Sequence, residues 1–392
     1  MKKRLAIIGA SEEALHTIEC AHKMGIEVVA IDGNAAAAGL KTADIPIVTD
    51  ISDEQATLNV LNELGCNWIQ TVPIGRYLTT IGACNDALGL KGICRGAAVN
   101  CTDKYTFHKC LQSDRLRDCV MYLVKDGKIV RDENPGNNQD TKYAFPMILK
   151  PRYGSGSRGI YVVNNEGELI SALNEVTDEE YVLEQCIDGE EYGVDGAVID
   201  GRFHLVLLRH KENTPLPMRQ AVAYYSVDMN DAFRAQVNEY MTKVVVAMGL
   251  DDCLMHADIL RSANGPFVIE ASGRPSGHNL HNLFTPLATD IDVATEYMKY
   301  QMGDAYSFTP AVTRNIMIRY FDYTGKVAKV PTKDDISKIL GDRLVRWVCN
   351  IAPGDVLEPA GNGHALMGRG YYIVSEPTDE DSQSVLQAFE LI

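Results

Sequence analysis

Short apolar runs ended by turn residues alternate with stretches of helical spacing over the first hundred residues. The run 5–8 stops at Gly9, a helical stretch covers 12–24, and after Gly25 a second apolar run, 28–31, ends at Asp32. This pattern predicts a β-α-β unit and hence a parallel sheet. A second alternation passes through 56–64, 68–72 and 77–88 and closes near 89–96. The turn after the first strand lacks a full Gly-x-Gly-x-x-Gly fingerprint, because Gly9 is followed by Ala10, Ser11 and two glutamates. Dinucleotide binding is therefore disfavoured although Asp32 stands at a suitable distance. Residues 1–100 read as a Rossmann-like domain.

The texture changes at Asn100. Asn100-Cys-Thr-Asp-Lys104 offers a helix cap followed by a lysine, and 132–142, rich in Asn, Gly, Pro and Asp, reads as a loop or hinge. Strand-like runs follow at 145–150, 160–163, 181–185, 192–199 and 203–208, with a helix predicted over 231–248. Residues 101–305 thus form an α+β body, with a small flap subdomain at about 120–187. Strand-like runs at 315–320 and 371–374, with turn signals at 353–355 and 361–363, predict that 306–392 is a small C-terminal subdomain completing the core. The fold class is α/β followed by α+β.

Composition narrows the function. The 392 residues are 46% hydrophobic and 23% charged, ordinary for a globular protein, and the formal charge of −16 argues against a nucleic-acid partner. The basic N-terminus is followed by an apolar run too short for a signal-peptide core, and no segment reaches the length of a membrane span. Ten cysteines are scattered without a Cys-x-x-Cys pair. They read as small buried hydrophobes in a reducing cytoplasm.

Three stretches carry candidate chemistry. In Ile148-Leu-Lys-Pro-Arg-Tyr-Gly-Ser-Gly-Ser-Arg-Gly-Ile-Tyr-Val-Val163, Lys150 ends one apolar run and a glycine-serine loop leads into the next. Gly154, Gly156 and Gly159 would let backbone N–H groups turn toward an anion, with Ser155, Ser157 and Arg158 adding donors. A strand-like run follows where a P-loop would start a helix, so the loop reads as a hairpin tip and a mobile flap. In Tyr181-Val-Leu-Glu184-Gln-Cys186-Ile187-Asp-Gly-Glu-Glu191, acids flank a turn at Asp188-Gly189. They form either an adenosine clamp, with Glu184 on the adenine amino group, the backbone near Cys186 and Ile187 on the ring edge and Glu191 on the ribose, or two solvated acids on a hairpin. In the third stretch, Asp258 closes one run and Glu270 ends the next around the turn at 264–266, so a hairpin can bring the two carboxylates together. Such a pair stays ionised only with a counter-charge, and Mg²⁺ held by one or two carboxylates plus phosphates supplies one. Arg274 follows four residues on, within reach of a phosphate or a developing oxyanion. His256 and His278 stand nearby without an assigned role as a base.

The ordered set Lys104, Lys150, glycine loop, Glu184, Glu191, Asp258, Glu270, Arg274 resembles the ATP-grasp superfamily, and the run Glu270-Ala-Ser-Gly-Arg-Pro-Ser-Gly277 is similar to the Glu-x-Asn-x-Arg-x-Gly-Gly signature of its carboxylate-amine ligases of the L-amino-acid ligase type. The resemblance implies that Lys104 and Lys150 contact ATP phosphates, Glu184 and Glu191 bind adenosine, Asp258 and Glu270 hold magnesium, with manganese as an alternative, and Arg274 stabilises acyl-phosphate chemistry. Ser272 stands where an asparagine usually completes the metal site, and Ser276 replaces a glycine. The implied activity joins a carboxylate, such as that of an amino acid, to an amine with release of ADP and phosphate. A homodimer is common in that family. Two other readings stand beside it: a biotin- or purine-type carboxylase using bicarbonate, and a nucleotide-binding protein without turnover. The loop 210–219 reads as a recognition segment, with Arg219, Arg76 and His278 as candidate partners of a substrate carboxylate and Arg76 preferred as a surface charge.

Overall fold

The computed structural model describes residues 3–132, 143–154, 159–215, 220–361 and 363–392. At the N-terminus β1 (Arg4–Ile8), β2 (Glu27–Asp32), β3 (Ile45–Val48) and β4 (Trp68–Gln70) form a parallel sheet in the order β3-β2-β1-β4. The crossovers carry α1 (Leu15–Lys23) and α2 (Glu54–Leu64), and α3 (Leu78–Leu88) follows β4. Strands β1 and β2 are almost wholly apolar because both of their faces are covered. Asp53 caps α2 by accepting from the Ala56 N–H, and Gly65 ends it in the left-handed region. The Asp32 carboxylate accepts from the Ala10 N–H at 2.7 Å and the Asn34 N–H at 2.8 Å. It therefore fastens its own loops.

Helices α4 (Arg95–Thr102) and α5 (Lys104–Ser113) lead to a five-stranded antiparallel sheet, β6-β5-β9-β7-β8. Its strands are β5 (Met121–Lys125), β6 (Lys128–Asp132), β7 (Met147–Pro151), β8 (Tyr161–Val163) and β9 (Tyr181–Gln185), with α6 (Glu166–Glu175) packed against it through Leu169 and Ala172. Strands β7 and β8 make the expected hairpin around the glycine loop.

Both edges of β9 are taken, by β5 and β7, so the chain leaves that sheet after Gln185 and begins another. The turn at 188–189 accordingly joins two sheets and is not the tip of a hairpin. Strands β10 (Glu190–Ile199), β11 (Arg202–Asn213) and β12 (Ala221–Ser226) are followed by α7 (Ala232–Met248), then β13 (Cys253–Ser262) and β14 (Gly265–Ser272). Asp231 caps α7 and Gly249 closes it, and Phe233, Val237, Met241, Val244, Val245 and Met248 make its buried stripe. Each such side chain contributes about 1.5–3 kcal/mol on burial.

Helices α8 (Thr285–Thr289) and α9 (Val293–Met302) precede β15 (Ile316–Tyr320), β16 (Gly325–Lys329), α10 (Lys333–Leu340), β17 (Leu344–Cys349), β18 (Val356–Leu357), α11 (Gly363–Arg369), β19 (Gly370–Ser375), α12 (Asp381–Gln387) and β20 (Glu390–Leu391). The central antiparallel sheet has eight strands in the order β14-β13-β10-β11-β12-β15-β19-β17, so three C-terminal strands belong to it. Strands β18, β16 and β20 form a small separate ribbon, and Phe321, Trp347, Tyr372 and Phe389 pack the core beside it. Among the described residues no helix is long and apolar enough to cross a membrane.

Candidate functional site

The start of α5, the end of β7, the end of β9 and the start of β10, the β13–β14 hairpin and the segment after β14 carry most of the predicted residues. Asp103 caps α5, its side chain accepting from the Tyr105 and Thr106 N–H groups, and it also takes two hydrogen bonds from Arg152, at 2.8 and 2.5 Å. Arg152 in turn reaches Glu180 at 2.7 Å. These contacts fix the first turn of α5, where Lys104 donates through Nζ to the Gly154 carbonyl at 2.8 Å. Burial, and then the neighbouring Lys150 cation, pull the Lys104 ammonium below its usual range, while Glu270 and Glu184 oppose the change. The two lysines and the two carboxylates therefore share one electrostatic neighbourhood.

Lys150 is buried at the end of β7, with Nζ on Glu184 Oε1. The other oxygen of Glu184 accepts from Arg117 at 2.8 Å. Arg117 is 2% exposed and also donates to the Val268 carbonyl at 3.2 Å and meets His108 Nδ1 at 2.6 Å. Burial raises the Glu184 carboxyl, but Arg117 and Lys150 outweigh it and hold the group at about 2. The oxygens expected to meet an adenine amino group thus meet two cations, and Glu184 orients Lys150. Likewise the Cys186 N–H donates to the Pro146 carbonyl at 3.0 Å.

Gly154 and Gly159 hold φ of +113° and +66°, and a Cβ on Gly159 would come within 3.1 Å of the Tyr181 hydroxyl. A side chain at either position would be strained. Ser155, Gly156, Ser157 and Arg158, the centre of the expected flap, lie outside the described residues, as do Arg219 and the hinge residues 133–142.

On the hairpin, Asp258 is the direct Cα partner of Glu270, and His256 of Ser272. Period-two alternation then places Asp258, Glu270, His256 and Ser272 on one face. Glu270 is exposed, while Asp258 Oδ2 accepts from Lys211 Nζ at 2.8 Å. Lys211, from β11, also lies 3.4 Å from Glu191. Burial disfavours the Asp258 charge, yet Lys211 outweighs it and keeps the carboxyl below its usual range. One oxygen of Asp258 is thus committed to a lysine, and the donor set left for a cation, with Glu270 and Ser272, suits an ion that also takes phosphate and water oxygens.

His256 lies against the Arg274 carbonyl at 3.2 Å, and burial, with Arg274 beside it, holds its pKa at about 3. The ring is neutral at pH 7, so Nδ1–H is the donor to that carbonyl. Burial also lowers Arg274, with the Glu270 carboxylate opposing. His278 sits in the left-handed region at φ +60°, edge-on to His364 at 5.3 Å, and its pKa is held at about 4, mainly by burial. Groups this weakly basic take little of an ammonium proton at neutral pH. The His278 N–H donates at 2.7 Å to Glu13 from the N-terminal unit, whose carboxyl burial pushes up. Arg76 is exposed.

Residues 143–281 match the family described as the ATP-grasp domain. The chain carries an ATP-grasp domain. That domain contains Lys150, Glu184, Glu191, Asp258, Glu270 and Arg274, whereas Lys104 and Arg117 precede it. Over the whole chain the fold is similar to an L-amino acid ligase from Bacillus licheniformis, with a TM-score of 0.78, 18% identity and coverage of 100% of this chain and 98% of that one. It is also similar to phosphoribosylglycinamide synthetase from Anaerococcus prevotii, with a TM-score of 0.73, 21% identity and full coverage of both chains. In sequence it is 22% identical over 147 residues to dapdiamide A synthase of Enterobacter agglomerans, a match spanning 34% of either chain.

Arg117, Lys211, Glu13 and His364 complete the surroundings of the ATP-grasp residues without having been singled out in the sequence. The segment 210–213 belongs to β11 rather than to a loop, and the alternation of Arg209 and Lys211 was the signal for it. Arg117 lies in Asp114-Arg-Leu-Arg-Asp118, which reads only as polar.

Proposed function

We propose that the protein is an ATP-dependent carboxylate-amine ligase that transfers the γ-phosphoryl group of ATP to a substrate carboxylate and lets an amine displace phosphate to form an amide. The observation that carries this reading is the register of Asp258 opposite Glu270, within the electrostatic reach of Lys104 and with Arg274 beside it. Magnesium held by Asp258 and Glu270, with Ser272 adjacent, would neutralise charge on the transferring phosphoryl group.

The chain's own groups do the positioning. Lys150, oriented by Glu184 and Arg117, and Lys104 hold phosphate oxygens, while Gly154 and Gly159 take backbone conformations that a side chain would strain. Glu191 takes the ribose, and the backbone near Cys186 and Ile187 takes the adenine edge. Arg274 meets charge growing on the acyl phosphate. The amine enters already deprotonated or loses its proton to solvent or leaving phosphate, because His256 and His278 are too weakly basic to take it. Amino acids are the favoured carboxylates, in line with the named ligase neighbour.

The test is phosphate release from MgATP by the purified protein against single and paired amino acids, with a bicarbonate arm. Release confined to particular pairs, with a new amide in the mass spectrum, is the expected result. Release with bicarbonate alone would replace the ligase by a carboxylase, and none with any substrate would remove it.

A further inference from the structure

Away from these residues, three donors converge where the N-terminal unit meets α9. His16 and Cys20 are four apart on α1 and therefore share a face. Asp292 caps α9, accepting from the Thr295 N–H through Oδ1 at 3.1 Å, which leaves Oδ2 turned to α1. That oxygen lies 2.8 Å from His16 Nε2, and the Cys20 sulfur lies 3.5 Å from each of them.

Two arrangements could explain a Cys-His-Asp group. A thiol activated by a histidine needs the acid on one ring nitrogen and the sulfur on the other. Here both meet the same Nε2, so no such relay exists. The three atoms instead surround a common point. Tetrahedral zinc at ordinary bond lengths separates a nitrogen and an oxygen ligand by roughly 3.3 Å, and sulfur from either by roughly 3.6 Å. Both sulfur separations already match, and only the His16–Asp292 distance must open, by about half an ångström. The mixed thiolate, imidazole and carboxylate set suits zinc rather than magnesium. Cys20 is buried, and His16 and Asp292 retain 22% and 30% side-chain exposure, so an ion has a way in. Beside them His281 is 1% exposed, its ring edge-on to His16 at 6.4 Å and its Nε2 without a hydrogen-bond partner among the described residues.

We infer that His16, Cys20 and Asp292 form a zinc site, separate from the magnesium ligands, that clips α1 to α9. Binding replaces the thiol and imidazole protons, which pass to solvent, and water or His281 takes the fourth position.

The full-length protein, freed of metal and kept in excess magnesium to occupy the phosphate site, would be titrated with zinc against a chromophoric chelator. It would also be titrated with cobalt, read by the thiolate-to-cobalt band in the near ultraviolet. The expected result is one equivalent of tightly held zinc and a cobalt band in the wild type and in Cys94→Ser, both lost in Cys20→Ser and His16→Asn. Zinc should also protect Cys20 from alkylation in the wild-type protein, a readout that needs no variant to fold. No zinc competing with the chelator, or zinc that leaves Cys20 alkylation unchanged, would reduce the cluster to an ion pair beside a thiol and overturn the inference.

Discussion

Replacing Glu184 by Gln keeps its shape and removes one negative charge from between two buried cations. Arg117, Glu184 and Lys150 side chains are 2%, 7% and 9% exposed, so water cannot supply the missing charge. A carboxyl held at about 2 in place of 4.5 stabilises the folded chain by about 3 kcal/mol at neutral pH. That agrees with about 3–5 kcal/mol for breaking a buried pair from one side. Because the pKa is depressed, the contribution is complete above 4.5 and fades as pH falls toward about 2. Urea unfolding of both proteins, followed by fluorescence over a pH series, should show the largest gap at neutral pH and a narrowing gap below 4.5. ATP affinity should fall as well, because Lys150 loses the group that aims it. A gap under about 1 kcal/mol at pH 7, or one that stays constant into acid, would refute the reasoning.

Three further outcomes are expected. Glu270→Ala should lower substrate-dependent phosphate release at least about a hundredfold while leaving the thermal transition in place, and unchanged turnover would remove Glu270 from the metal assignment. Lys211→Met deprives Asp258 and Glu191 of a shared cation and should cost about 3 kcal/mol, with magnesium raising the variant's Tm more than the wild type's. For the His16–Asp292 pair, burial lowers the imidazole but Asp292 outweighs it and lifts the ring to about 10, while Asp292 is held at about 2. With zinc chelated, the stability gap between wild type and Asp292→Asn should be widest between pH 3.8 and 6.5 and close toward about 10 and about 2; a flat gap would refute the pairing.

Local chemistry made much of this legible. Gly9 and Asp32 bound the first β-α-β unit, Asp231 announces α7, and the turn at 264–266 sets Asp258 against Glu270, all within short stretches of chain. The missing parts depend on distance. Arg117 finds Glu184 across 67 positions, and Lys211 finds Asp258 across 47. Nothing within a few residues of either lysine or arginine marks it as buried. The strands flanking 188–189 look like a hairpin because adjacency is all a sequence displays, whereas β9 has both neighbours already. Glu184 meets Arg117 and Lys150 for the same reason: its partners are chosen by the sheets, not by its neighbours in the chain.

The pairing of β12 with β15 has a consequence for synthesis. Asp258 and Glu270 leave the ribosome well before residues 316–375, which supply three strands of the same sheet. Until those emerge, β12 presents a bare edge of N–H and C=O groups, the kind of surface that recruits other strands. A nascent chain halted near residue 305 would hold its acidic pair ready on an open, adhesive sheet.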